Sequence, residues 1–420
     1  MIEMLEDVLE GLVAGFNVAW MMTNLYNLYP YTRHAKPLQK ETEKRSPRDG
    51  KENPKISVLL PAYREENVLE RAVDAIEKTG YGNLEVILLT EQGDGPTSRI
   101  ADDLRSKYAN LKHVIVKDDG SIRGKPRALN RGLEHVSGEI TGVIDAEDVI
   151  DKRLFEKVAD AFDRNDYCAV QGMLHMHSET GSWRNYQFES EYFRWYNRYL
   201  PRLSSAGYPI PLGGTTNFIK TDVLKEMGGW ENGNLTEDYE LALRIYDAFY
   251  KRGGSYCPVG IIDSTTIEEP PNTLGSWLRQ RTRWSQGKMI TAASYLNKPL
   301  RGINKKMHIY MSNVAAHIGA INFTGIALSA GFYLSRGYMP PVLEALTLAN
   351  FACVSAYCYS QGKAYIDATK GSGAKHRLLK GLLVGVTTPA YWFIQWLSEL
   401  RATYRILKGV NDWEKTEHGI

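Results

Sequence analysis

Between Ile56 and Ile144 short apolar runs alternate with helical patterns, and no other feature of the chain restricts its fold so strongly. Ile56–Leu60 reads as a strand ended by Pro61, and a helical pattern follows from Glu65 to Thr79. Leu84–Leu89 gives a second strand, the polar turn Thr90–Pro96 leads into a helix to about Tyr108, and Val114–Val116 and Ile140–Ile144 give two more strands. Strands that alternate with helices pair in parallel, which predicts an α/β domain with a mainly parallel sheet. In such sheets ligands gather at the carboxyl ends of the strands. Polar clusters fall there: Tyr63-Arg64-Glu65 after the first strand, Glu91 to Asp94 after the second and Asp145-Ala146-Glu147-Asp148 after the fourth. A Gly-x-Gly-x-x-Gly turn and a Gly-Lys-Ser/Thr phosphate loop are both absent, which disfavours dinucleotide oxidoreductases and P-loop enzymes.

At 420 residues the chain can bury a sizeable core. A net charge of +2 with 24% charged residues, and no dominant basic run, argues against nucleic acid as a partner. Cys168, Cys257, Cys353 and Cys358 lack zinc-site spacing and are expected as free thiols in a reducing compartment.

Four stretches, 11–29, 308–334, 340–361 and 379–400, are apolar and about long enough to cross a hydrocarbon layer of roughly 30 Å. Arg33, His34 and Lys36 follow the first, which places the next segment in the cytoplasm. Their small and polar residues, and a mean hydropathy of −0.36, also suit a helical bundle in water. The expectation is a multi-pass membrane protein with a cytoplasmic catalytic domain, in which Pro389 breaks the last stretch into a hairpin that leaves the C-terminus cytoplasmic. The expected divisions are an N-terminal helix over 1–36, a linker over 37–54, the α/β domain over 55–273, interfacial helices over 274–306 and membrane-type helices over 307–420.

Three groups carry the chemistry. Asp145, Glu147 and Asp148 offer hard oxygens suited to Mg2+ or Mn2+, or else form a turn and helix cap before Leu154. Thr236 can cap a helix over Glu237–Phe249, which would fix an ionised carboxylate at Glu237 or Asp238 as a base for a hydroxyl proton. In Gln280-Arg281-Thr282-Arg283-Trp284, the guanidinium of Arg283 suits phosphate oxygens and the indole of Trp284 a sugar face; the alternative is an interfacial helix with snorkelling arginines. Lys125 and Arg127 are further candidates for diphosphate or base contacts. The aromatic run from Trp183 to Tyr199 is core packing or a platform for sugar rings. His175 and His177 share one face of a strand without a third metal ligand of suggestive spacing.

Six segments together resemble the membrane-associated family 2 glycosyltransferases, the group that includes cellulose, chitin and hyaluronan synthases. They are Pro61-Ala62-Tyr63-Arg64-Glu65-Glu66-Asn67, Gly124 to Asn130, Asp145 to Asp148, Gly213-Gly214-Thr215-Thr216-Asn217-Phe218, Thr236-Glu237-Asp238 and Gln280 to Trp284. The resemblance implies a GT-A type nucleotide-diphospho-sugar transferase domain. It implies an inverting transfer from a nucleotide-sugar donor, a UDP-sugar above all, to a glycan or lipid-linked acceptor.

In that scheme Asp145 with Glu147 or Asp148 holds the metal, Asp238 is the general base beside Glu237, and Pro61, Tyr63, Glu65, Glu91, Asp94, Lys125, Asp145 and Arg283 serve the donor. Gly214, Thr216, Asn217, Gln280 and Trp284 would face the acceptor. Trp413-Glu414-Lys415-Thr416 is loosely similar to a gating segment of related synthases. Two departures stand out: the second strand ends in Thr-Glu-Gln-Gly-Asp-Gly where relatives have Asp-Asp-Gly-Ser, and Phe218 replaces a frequent His. The rival readings are transfer of one sugar to a lipid and a catalytically silent sugar-binding protein.

Overall fold

The structure is a computed structural model that describes residues 2–32, 52–178, 181–205, 210–251, 259–271, 273–296, 317–369 and 373–410. Strands β1 Ile56–Ala62, β2 Leu84–Glu91, β3 Leu111–Val116, β4 Ile140–Val143, β5 Ala169–Met176, β6 Asn217–Lys220 and β7 Val259–Glu268 form one sheet in the order β3-β2-β1-β4-β6-β5-β7. All neighbours are parallel except β6, which runs antiparallel between β4 and β5. β1 and β2 are buried almost end to end, so they read as continuous apolar runs instead of alternating ones.

Helices α2 Leu69–Glu77, α3 Gly95–Lys107, α4 Lys125–Leu133 and α5 Leu154–Arg164 cover the sheet. α2 turns Leu69, Ala72, Val73 and Ile76 inward, the spacing of one helical face. Phe218 is fully buried; a Cβ at Gly142 on the adjacent strand would lie 2.3 Å from its ring. Position 218 therefore belongs to the core, and only glycine fits opposite it.

After β5 the chain enters α6 Trp183–Arg194, passes through a π-helical turn at Trp195–Tyr199 and continues as α7 Leu200–Ser205. α8 Thr221–Glu226, α9 Glu237–Lys251 and α10 Leu274–Leu296 complete this half. The aromatic segment is thus one element with a π insertion, a distortion that recurs at functional sites.

Helices α1 Ile2–Thr32, α11 Ile318–Arg336, α12 Pro341–Ala368 and α13 Ala374–Leu407 pack together beside α6 and α10. Their polarity is inverted. Asn17, Asn24, Asn322 and Asn350 are buried at the centre, while Leu12, Leu334, Leu348, Leu382 and Val386 are exposed. Asn350 Nδ2 donates to Asn17 O at 3.0 Å, Asn17 Nδ2 to Ser329 Oγ at 3.2 Å, and Trp20 Nε1 to Asn322 Oδ1. Backbones approach closely at small residues: a Cβ at Gly362 would meet Gly381 O at 2.4 Å.

Among the described residues two helices, α11 and α12, are long and apolar enough to cross a membrane, where the sequence suggested four segments. α1 falls short because Asn17, Asn24 and Asn27 interrupt its apolar run, although Asn17 and Asn24 turn into the bundle.

Two expectations are corrected. Pro389 does not break the last segment, since α13 is one helix of 34 residues. Proline removes the backbone bond to Gly385 O, a single loss, and packing on α12 and α10 holds the axis. Cys168 is not a free thiol but disulfide-bonded, its partner lying outside the described residues. It precedes Ala169, which pairs with Val259, a contact between strands ninety positions apart. Cys353 and Cys358 are free. The linker over 37–54 falls mostly outside the described residues, and Trp413 to Thr416 wholly so.

Candidate active site

Among the described residues two other than glycine have positive φ, and both stand at strand ends beside the site: Arg64 at 58° after β1 and Thr216 at 50° before β6. Such strain persists only where surroundings impose it. The Arg64 N–H donates to Asp94 Oδ2 at 2.6 Å, and the Thr216 N–H donates to Val143 O at 2.7 Å.

These strand ends open on one cavity of about 670 Å3 that contains Pro61, Tyr63, Glu65, Glu91, Lys125, Asp145, Glu147, Gly214, Glu237, Asp238, Gln280, Arg283 and Trp284 in its wall. Lys125 is its hinge. Its ammonium donates to Asp145 Oδ1 and, at 2.8 Å, to Gly214 O. A Cβ at Gly214 would lie 3.7 Å from Lys125 Nζ and 3.8 Å from Asp238 Oδ2. The acidic cluster after β4 and the carboxylate at the start of α9 therefore share one small space, though 93 positions separate them.

Burial and crowding set the charges. Glu237 is pushed up to about 7 by burial and then by Asp238, against Lys125. Asp238 is raised by burial, opposed by backbone N–H groups and Lys125. Glu268, at the end of β7, is pushed up to about 8 by burial and by Asp145 and Glu147. Burial disfavours the Lys125 ammonium, but Asp145 and Glu237 outweigh it and hold it charged. An excess of carboxylates held this tightly is a place for an added cation.

Asp145 and Glu147 are part-exposed in the wall and supply hard oxygens. Among the described residues no three His, Cys, Asp or Glu side chains form a complete metal cage. Mg2+ and Mn2+ fit such a partial set, because phosphate oxygens of a substrate complete their shell.

Five residues named from the sequence, Asp94, Arg127, Asp148, Thr216 and Asn217, stand behind the wall. Asp148 is buried, accepts from Thr215 Oγ1 and, at 3.2 Å, from the Asp145 N–H, and is pushed well up by burial and Glu268. It braces the loop that presents Asp145. Thr216 Oγ1 donates to Thr266 Oγ1 at 2.9 Å, Asn217 Nδ2 donates to Gly213 O at 2.7 Å, and Asp94 holds the Arg64 turn. The Thr236 N–H donates to Asn234 Oδ1 at 2.9 Å, so an asparagine turn braces the residue expected to cap α9. Arg127 is buried against Glu91 and holds that acid in place.

α10 reaches α9 because residue 287 is glycine: a Cβ there would lie 2.5 Å from Thr236 Oγ1. Two of its arginines, Arg281 and Arg283, differ. Arg281 pairs with Glu191 of α6 through two bonds of 2.8 and 2.7 Å, donates to the Tyr391 hydroxyl of α13 at 2.6 Å and lies 4.5 Å from the centre of the Phe188 ring. Arg283 has no hydrogen-bond partner among the described residues; its buried Nε and Oε1 of Gln280 are both unpaired beside the cavity.

Sequence reasoning missed Glu268, Glu269, Glu191 and Lys288, all in the wall. Glu268 was findable, as a carboxylate ending a strand, had Val259–Glu268 been recognised as one.

The α/β fold is of the GT-A type and the chain is a glycosyltransferase. Residues 54–287 match the profile described as Glycosyltransferase like family 2, and the chain belongs to that family. It is 26% identical over 387 residues to "Probable glycosyltransferase YdaM" of Bacillus subtilis, covering 87% of each chain. It is 28% identical over 240 residues to "Beta-monoglucosyldiacylglycerol synthase" of Synechocystis, covering 56% of this chain and 48% of that one. It thus spans about half the length of the latter relative. The mannosyltransferase PcManGT from Pyrobaculum calidifontis, solved with GDP-Man and Mn2+, superposes with a TM-score of 0.61 at 20% identity, covering 90% of this chain and 99% of that one.

Proposed function

We propose that the protein transfers a sugar from a nucleotide-diphosphate donor, a UDP-sugar in the first instance, to a hydroxyl of a glycan or lipid-linked acceptor, with inversion at the anomeric carbon. The observation that carries this is the convergence of Asp145, Lys125, Gly214 and Asp238 in one cavity with the unpartnered Arg283 in its wall.

Asp145 and Glu147 would hold a Mg2+ or Mn2+ ion, which supplies charge neutralisation to the diphosphate when bound. Lys125 keeps Asp145 in position and adds positive charge at the same place. Arg283 donates from its unpaired Nε to the departing diphosphate, and Gln280 Oε1, also unpaired, accepts from a hydroxyl of the acceptor. Glu91 and the Arg64–Asp94 turn shape the base pocket, and Trp284 stands at the acceptor side.

Asp238 takes the proton of the attacking hydroxyl. Burial raises it toward working pH, which makes it a better proton acceptor, and the start of α9 fixes its direction. Glu237 shares the negative charge beside it.

The inverted helical bundle supports a membrane location in several passes, with the α/β domain on the cytoplasmic side. An Asp238→Asn protein should lose transfer by about 10²- to 10⁴-fold while keeping nucleotide binding. Retention of full transfer, measured as nucleoside diphosphate release with acceptor, would remove the assignment.

A further inference from the structure

The cavity does not end at the carboxylates. It continues past Trp195 and Tyr199 of the π-helical turn to Tyr357 of α12 and Trp392 of α13, and Asn27 of α1 and Ile318 of α11 complete its far wall. All four bundle helices therefore touch the space in which Asp238 stands. This end joins rings with a few polar groups: Trp195 stacks on Tyr199 at 4.8 Å, Tyr357 tilts against Trp392 at 5.0 Å, and the Arg194 guanidinium lies over the Tyr357 ring at 3.9 Å with Gln361 and Gln395 nearby in the wall.

Beyond it the described bundle is closed. Trp20 is fully buried, and a Cβ at Gly325 would lie 2.4 Å from its ring. The Asn17, Ser329, Thr347 and Asn350 side chains are bonded to one another across the centre. A growing polysaccharide crossing here would need a wide tube lined by polar groups, because hydrocarbon cannot satisfy its hydroxyls. The bundle offers a packed core instead. What it does offer is a ring-lined pocket, polar at the catalytic end, set among helices whose outer faces are apolar.

We propose that the acceptor is a membrane lipid bearing a free hydroxyl, which reaches the ring-lined end from the bilayer with its headgroup toward Asp238, and that the product stays in the membrane as a glycolipid. This rests on the transferase reading above and narrows its acceptor. In the step, the lipid hydroxyl oxygen bonds to the anomeric carbon as the bond from that carbon to the diphosphate breaks. The electron pair leaves on the diphosphate oxygen and the hydroxyl proton passes to the Asp238 carboxylate. The aromatic run of α6 and the π-helical turn then acts as the lipid-facing lip of the pocket, with exposed Trp195 at its edge.

The test uses the full chain in phosphatidylcholine vesicles carrying a diazirine-labelled diacylglycerol. Cross-links are expected on peptides that contain Trp195–Tyr199 and Trp392, competed by unlabelled diacylglycerol and reduced several-fold by Trp195→Ala. Cross-links confined to the outer face, at Leu348 and Leu382, would overturn the proposal whether or not a donor has been found. With labelled UDP-glucose, UDP-N-acetylglucosamine or GDP-mannose, label is expected in the organic phase as a lipid heavier by one or a few sugars. Label in a water-soluble polymer inside the vesicles would overturn it as well. Absence of nucleoside diphosphate release from every donor would instead count against the transferase reading, which the cross-linking arm does not use.

Discussion

Arg281 and Arg283 stand two positions apart on one helix, and their surroundings give them opposite tasks. Arg281 is held through its two terminal nitrogens by Glu191 and Tyr391 and lies over the Phe188 ring, so it ties α10 to α6 and α13. Its replacement by alanine strands Glu191, and breaking such a pair costs about 3 kcal/mol. Arg281→Ala should therefore lower the melting temperature clearly, whereas Arg283→Ala should leave melting nearly unchanged and cut transfer. Calorimetry beside an activity assay separates the two.

The crowded carboxylates make a second prediction. Glu268 is raised to about 8 from an ordinary value of 4.5, chiefly by burial, so the folded chain keeps a proton that the unfolded chain has lost. Its contribution is present below about 4.5 and disappears as pH rises through about 8. Protein freed of divalent ions should melt at lower temperature at pH about 8 than at about 5.5, and Glu268→Gln should flatten that slope. Added Mn2+ should stabilise more at the higher pH, because Glu268 then loses its proton and the added negative charge beside Asp145 and Glu147 favours a cation. These residue-scale facts were half legible: the motif names Asp145 and Asp238, but burial sorted Asp148 and Asp94 behind the wall.

At the scale of elements, glycines decide which helices and strands can meet. Gly287 admits α10 to the start of α9, and a larger residue would collide with Thr236. Overpacking of this kind costs about 1–3 kcal/mol and displaces the pair. Gly287→Val should reduce transfer strongly by moving Arg283 and Trp284 away from Asp238, and should lower the melting temperature by a few degrees. A variant as active as the parent would show that this approach is not needed. The alternation of strands and helices between Ile56 and Ile144 was readable because both faces of that sheet are covered. β6 was not, because four residues leave no periodicity to read, and β7 alternates only toward one end.

Across the whole molecule, the α/β domain and the helical bundle share one cavity and differ in the solvent their surfaces suit. The bundle exposes Leu348, Leu382 and Val386 and buries Asn17 and Asn350. Leu382→Lys combined with Val386→Lys should shift the protein from the alkali-resistant membrane fraction toward the soluble one, since each charge costs about 2.5–3.5 kcal/mol at the centre of a bilayer. Unchanged fractionation would count against insertion of α13.

By itself the sequence determined the α/β alternation and the acidic cluster at a strand end, because these depend on residue type and short spacing, while only the family resemblance linked Thr236-Glu237-Asp238 with the segment from Gln280 to Trp284. The tertiary structure decided that Glu268 joins Asp145, that α13 runs unbroken past Pro389, that Cys168 is bonded and that the cavity extends into the bundle. Each of those depends on burial or on contact between residues far apart in the chain, and neither quantity is written in any local stretch of residues.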